Sequence, residues 1–156
     1  MSCVTRDVLI EARDFRLVQL VTLKFPSDVA NLRGAPSLKL SVLHSYSYVQ
    51  PTHGSGSIDI RTMAYFYRLD SFDGPELIAF HWHPDREGQP DFPHLHVTSR
   101  PGPPQIQRKH HVPPGRVSLE SVIRFAIREL GVRPLRPDWE QVLDVGQAEF
   151  DARRSW

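Results

Sequence analysis

The hydrophobic pattern of this chain changes period once, and that change constrains the fold more than any other feature. Between Leu38 and Tyr48 the residues alternate. Leu38, Leu40, Val42, His44, Tyr46 and Tyr48 share one side, while Lys39, Ser41, Ser45 and Ser47 share the other. That is the period-two signature of a half-buried strand. Beyond Ser118 the repeat lengthens. Leu119, Val122, Ile123, Ala126, Ile127 and Leu130 fall on one helical stripe, with Arg124, Arg128 and Glu129 turned outward. Strands first and helices last predict an α+β domain, with an antiparallel sheet of about five strands followed by two C-terminal helices.

The five strands are expected at residues 14 to 26, 38 to 48, 58 to 70, 76 to 83 and 94 to 99. Asp73-Gly74 marks the turn between the third and fourth, and the stretch from Pro26 to Pro36 reads as a loop. Ser118 is a sound N-cap, Glu120 suits the first turn, and Gly131 followed by Pro134 stops the helix. Pro137 opens a second, shorter helix whose apolar side is Trp139, Val142 and Leu143.

At 156 residues the chain is expected to form a single domain, 1 to 156. Residues 1 to 13 read as an irregular N-terminal segment, 100 to 116 as a proline-rich connector, and 117 to 156 as the helical part. No stretch approaches the roughly 20 apolar residues of a membrane span, and the N-terminus fits neither a secretory signal nor a transit peptide. A cytoplasmic protein with no membrane partner is the expectation. The single cysteine, Cys3, rules out an intrachain disulfide and a cysteine-based zinc site, and reads as an incidental terminal residue. A net charge of +1 leaves nucleic-acid affinity to local basic patches.

The chemistry concentrates in FHWHP and FPHLHV. Residues two apart in a strand project to the same face, so His81 and His83 point together, as do His94 and His96. A hairpin across the intervening loop brings both pairs to one face if the register is right; a slip of one residue separates them. Four adjacent imidazoles resist simultaneous protonation, which lowers pKa values toward the range of acid-base catalysis.

Three readings stay open. One is metal-independent phosphodiester cleavage, with His81, His83, His94 and His96 as the acid-base set. Arg68, Arg100, Arg108, Lys109 and Arg116 would then supply phosphate contacts, and Tyr46, Tyr65 and Tyr67 base stacking or hydrogen bonds. This reading needs no cofactor. Another is a zinc site built from the same four histidines, to which His44, Asp85 or Asp91 could add a ligand. The third is a set of solvated surface imidazoles. The basic run around Lys109, His110 and His111 reads as a solvated loop. Tyr46, Tyr48, Tyr65, Phe66 and Tyr67 read as core or sheet packing ahead of a base-stacking platform.

The order YFYRLDSFDGPELIAFHWHP, FPHLHV and SLESVIRFAI resembles that of the TumE-type toxins of toxin-antitoxin modules, over about residues 46 to 130. The matching positions are Tyr65, Tyr67, Arg68, Pro93, His94 and Ser118. The H-W-H and H-L-H spacings depart from the family's histidine-rich loop. The resemblance implies a small cytoplasmic toxin-like protein that acts on RNA. Together with the histidine set it makes an RNA-directed toxin, a metal-independent ribonuclease or other hydrolase, the leading expectation, with RNA and an antitoxin or other protein as partners. PHLHVTSRP is also similar to the strand of histidine-triad nucleotide hydrolases, with Thr98 where the third histidine would stand. A non-catalytic protein-binding module, docking through the open sheet face or the Trp156 tail, is the reading from a different class.

Overall fold

Two long strands, β4 (Leu38–Val49) and β5 (Asp59–Ser71), form the centre of the sheet. They pair antiparallel from Leu38↔Ser71 to Val49↔Asp59, with a bulge between Ser45 and Tyr46. Their length follows from the alternation of β4, from the aromatic content of β5, and from the absence of internal proline or glycine in either. The computed structural model describes residues 1–13, 20–49, 59–84, 92–97 and 115–153.

The other strands are β1 (Ile10–Arg13), β2 (Leu20–Lys24), β3 (Ala30–Leu32), β6 (Glu76–Trp82) and β7 (His94–Val97). The sheet is seven-stranded and antiparallel, in the order β1-β2-β4-β5-β6-β7, with β3 paired to the start of β4 beside β2. Helices α1 (Leu119–Arg128) and α2 (Trp139–Arg153) follow. The predicted α+β order of strands then helices holds, with two strands more than expected.

Those two strands correct the sequence reading. Residues 1 to 13 are not irregular throughout, because Ile10–Arg13 pairs with Val21–Lys24. Ala30–Leu32, inside the expected loop, pairs with Leu38–Leu40. Both strands are too short to show a period. Cys3 is also not incidental: it is fully buried beside Val4 in the core, and its carbonyl accepts a hydrogen bond from the Leu135 amide at 2.8 Å. The second helix, expected to be the shorter, has 15 residues against 10 in α1. The connector from 100 to 114 lies outside the described residues.

One face of the sheet carries the core. Leu38, Leu40, Val42, Tyr65, Tyr67, Leu69, Ile78, Phe80 and Trp82 are buried there with Val122, Ile123, Phe125 and Ala126 of α1. Phe80 meets Phe125 edge to face with ring centroids 6.3 Å apart. The Ser118 hydroxyl caps α1 by accepting from the Ser121 amide at 3.0 Å. Arg124 and Arg128, expected to face solvent, reach across to Asp144 and Glu140 of α2 at 2.6 Å each. Alternation turns the intervening residues of each strand, among them Leu43, Phe66, Ala79 and His81, to the opposite face, away from α1. No described helix is long and apolar enough to cross a membrane.

Candidate metal centre

The register of β5, β6 and β7 decides what gathers on that second face. Phe66 pairs with His81 and His81 with His94, while Arg68 pairs with Ala79 and Ala79 with His96. Directly opposed residues share a face. Both His-x-His pairs therefore occupy one face and one corner of the sheet, as the hairpin reading required.

The four rings are in contact. The His81 centroid lies 4.5 Å from His96, 5.3 Å from His94 and 5.8 Å from His83, and His83 lies 5.4 Å from His94. His81 and His96 are stacked, with an interplanar angle of 16°. Phe66 closes the other side of His81 edge to face at 4.5 Å.

Three of the four turn inward. One ligand-capable nitrogen from each of His81, His83 and His94 lies within 4.8 Å of the others. The Nε2 atoms of these three histidines are buried without a hydrogen-bond partner among the described residues. A buried polar nitrogen left unpaired costs about 1–3 kcal/mol, so three at one point are a costly arrangement unless something binds them. His96 is exposed and is not one of the three.

The orientation of His94 can be assigned. Its Nδ1 lies 3.0 Å from the Phe92 carbonyl oxygen, which can only accept, so Nδ1 carries the proton. In the neutral ring the buried, unpartnered Nε2 is then the nitrogen that carries the lone pair. A ligating histidine commonly gives its other N–H to a backbone carbonyl in this way, which fixes tautomer and ring direction.

The charge state of His81 agrees. Burial, then the neighbouring His96, His94 and His83, then Arg68, push its pKa down from 6.5 to about 4. At neutral pH this imidazole is uncharged, the form a metal requires. A tetrahedral zinc ion at about 2.0–2.1 Å from each nitrogen places them about 3.4 Å apart. Rotations of the rings cover the difference from 4.8 Å, so the residues present fit such an ion.

Beside the cluster is an open hollow of about 360 Å³, lined by Leu43, Ser45, Ala64, Tyr65, Phe66, His81 and His83, where Tyr65 borders the hollow although its ring is buried on the helix side. Its floor is mainly apolar. The sequence reading assigned Phe66 to packing without placing it beside the histidines, and did not single out the Phe92 carbonyl. The signal for Phe66 was its place between Tyr65 and Tyr67, which alternation sends to the histidine face.

Of the other candidates, Arg68 is brought to the histidine face, where its guanidinium is held by Asp70 at 3.0 Å and lies over the Phe66 ring. Tyr65 and Tyr67 are not brought there. They are buried on the helix side, stacked at 4.9 Å, and the Tyr65 hydroxyl accepts from the Val117 amide. Arg116 sits over Trp82 at 3.8 Å, also on the helix side. Tyr46 donates to Glu11 at 2.8 Å on that same side.

His44, considered as an added ligand, is likewise on the far face. Its Nδ1 meets the Tyr67 hydroxyl and its Nε2 the Thr62 hydroxyl, and burial lowers its pKa. Lys109, Arg100, Arg108, Asp85, Asp91, His110, His111 and Trp156 lie outside the described residues.

Fold and site together define an α+β protein with a histidine cluster on the face of an antiparallel sheet opposite α1. No family model, curated protein or solved structure matches the chain. The likeness to TumE-type toxins rests on motif order alone.

Proposed function

We propose that the chain is a metal-dependent hydrolase in which His81, His83 and His94 hold a divalent ion of the zinc class. The observation that carries this reading is that His81, His83 and His94 each bring a ligand-capable nitrogen within 4.8 Å of the others, and that each has a buried Nε2 with no hydrogen-bond partner among the described residues. Imidazole suits zinc and other later first-row metals better than magnesium or calcium, which prefer oxygen ligands. Three histidines also leave a coordination position open, the arrangement of catalytic rather than closed structural zinc sites.

A zinc-class ion there supplies Lewis acidity and activates water near neutral pH. The chain's own residues do the rest. The Phe92 carbonyl holds His94 in the ligating tautomer. His96, exposed and stacked on His81, is placed to exchange a proton with substrate or solvent. The hollow floored by Leu43, Ala64 and Phe66 receives the apolar part of a substrate.

Metal-independent ribonuclease action is the second reading. It is favoured by one observation, that Arg68 shares a face with His81 and His96. Against it, Arg116, Tyr46, Tyr65 and Tyr67 sit on the other face, which leaves Arg68 as the one expected RNA contact beside the histidines among the described residues.

Chelator-treated protein titrated with cobalt(II) separates the two. One equivalent should develop the visible absorption of a tetrahedral site, lost in His94→Ala, and restored metal should restore hydrolysis of a chromogenic ester or of an RNA oligonucleotide. No stoichiometric metal uptake, with RNA cleavage unchanged by chelator, would remove the metal reading in favour of the ribonuclease.

A further inference from the structure

A second cavity, of about 570 Å³, lies at the other end of the β5–β6 hairpin. It is formed where the β3–β4 turn meets the segment after α1, and Arg33, Gly34, Ser37, Phe72, Arg133 and Leu135 line it. Phe66, beside the histidines, and Phe72, beside this cavity, are six residues apart along the chain, roughly 20 Å at strand rise. The two sites are separate.

The two arginines are forced together by backbone. Gly34 and Val132 form an isolated antiparallel bridge, and the Arg133 amide donates to the Arg33 carbonyl at 2.6 Å. In an antiparallel pairing the residues flanking such a bridge stand opposite one another, about 5.5 Å apart at Cα. Arg33 and Arg133 are therefore a directly opposed like-charge pair, which destabilises a ladder.

The close approach is built in. A Cβ on Gly34 would come within 2.5 Å of the Gly131 carbonyl oxygen, and Gly131 itself has φ of 74°. Only glycine at both places lets the two segments press together. Nothing among the described residues neutralises the pair: the arginines in ion pairs among those residues are Arg68, Arg124, Arg128 and Arg136, and not Arg33 or Arg133. Both side chains are exposed at the cavity rim.

Beside them stands a large aromatic surface. Phe72 is 47% exposed, with Lys39 over its ring at 4.9 Å from the centroid. Its volume puts the cavity within the usual range of about 300–1,000 Å³ for small-molecule sites. Two guanidiniums side by side match a phosphate by bidentate hydrogen bonding, and an exposed aromatic face takes a flat ring.

We infer that this cavity binds a phosphate ester carrying a flat ring, with Arg33 and Arg133 on the phosphate and Phe72 against the ring. The bound anion offsets the repulsion that the backbone imposes on the arginine pair. The site is independent of the histidine cluster, and its failure or success leaves the metal reading untouched.

The test is calorimetric titration of the full chain, kept in chelator so that no metal at the histidines takes up phosphate. Adenosine monophosphate, inorganic phosphate and adenosine are the three probes. The nucleotide should bind one to one, at least tenfold tighter than phosphate, with adenosine weaker still. Arg33→Gln or Arg133→Gln should each weaken the nucleotide tenfold or more without lowering the melting temperature of the ligand-free protein, since either change relieves the like-charge pair. Phe72→Ala should weaken the nucleotide and leave phosphate unchanged. Absence of nucleotide binding at millimolar concentration overturns the proposal, as does affinity unaffected by either arginine substitution. Adenosine binding as tightly as the nucleotide, or phosphate binding as tightly as the nucleotide, does so too.

Discussion

His81 and His94 stand directly opposite one another across the β6–β7 ladder, with ring centroids 5.3 Å apart and both Nε2 atoms buried and unpartnered. A directly opposed pair of neutral imidazoles is the seed of the site. His83 then needs only the next same-face position to join it.

Removing one ligand should therefore abolish the metal site without harming the fold. His94→Ala deletes a half-buried side chain at the edge strand, away from the core under α1. We expect zinc affinity to fall at least 100-fold, and the melting temperature of metal-free protein to stay within a degree or two. In the wild type, zinc at 100 times its dissociation constant should add about 2.7 kcal/mol. Thermal melts with and without zinc check both, and an equal zinc-induced rise in the variant would exclude His94 as a ligand.

The metal-free protein should lose stability in mild acid. The His81 pKa is about 4 folded against 6.5 for a free imidazole. Below 6.5 the unfolded chain binds a proton that the folded chain refuses, so unfolding is favoured as pH falls, and the effect levels off below about 4. Urea midpoints measured in chelator between these two values should decline for wild type and less steeply for His81→Asn. Equal slopes would mean that His81 is not the titrating group.

On the other face, the Tyr67 hydroxyl is a structural partner and not part of the chemistry. It is buried and meets Nδ1 of His44. Tyr67→Phe keeps the ring stack on Tyr65 and leaves that nitrogen unpaired, at a cost of about 1–3 kcal/mol. Chemical denaturation should show this loss while cobalt binding is unchanged; altered cobalt spectra would show the two faces to be coupled.

Gly131→Ala tests the contact between the β3–β4 turn and the segment after α1. The left-handed φ of 74° costs a residue with a Cβ about 1–2 kcal/mol, and that Cβ would also lie 2.9 Å from the Ala35 carbonyl oxygen. A loss of at least that size is expected in equilibrium unfolding. A neutral substitution would show that the turn can move away freely.

Much of this protein was legible in the order of its side chains. The alternation from Leu38, the stripe from Leu119 and the Ser118 cap specified strands and helix because each is a local relation between neighbours. The same rule made His81 and His83 co-facial, and His94 and His96 likewise. Alternation also sends Tyr65 and Tyr67 to the face opposite Arg68, so the three cannot form one contact surface. What local pattern could not supply was the β6–β7 register, which sets His81 against His94, and the burial that leaves three nitrogens unpaired. Nor could it show that the β3–β4 turn, a hundred residues away in sequence, brings Arg33 opposite Arg133. Those relations depend on which strands pair and which backbones touch, and long-range pairing is settled by packing the whole sheet against α1, with no signature in any single segment.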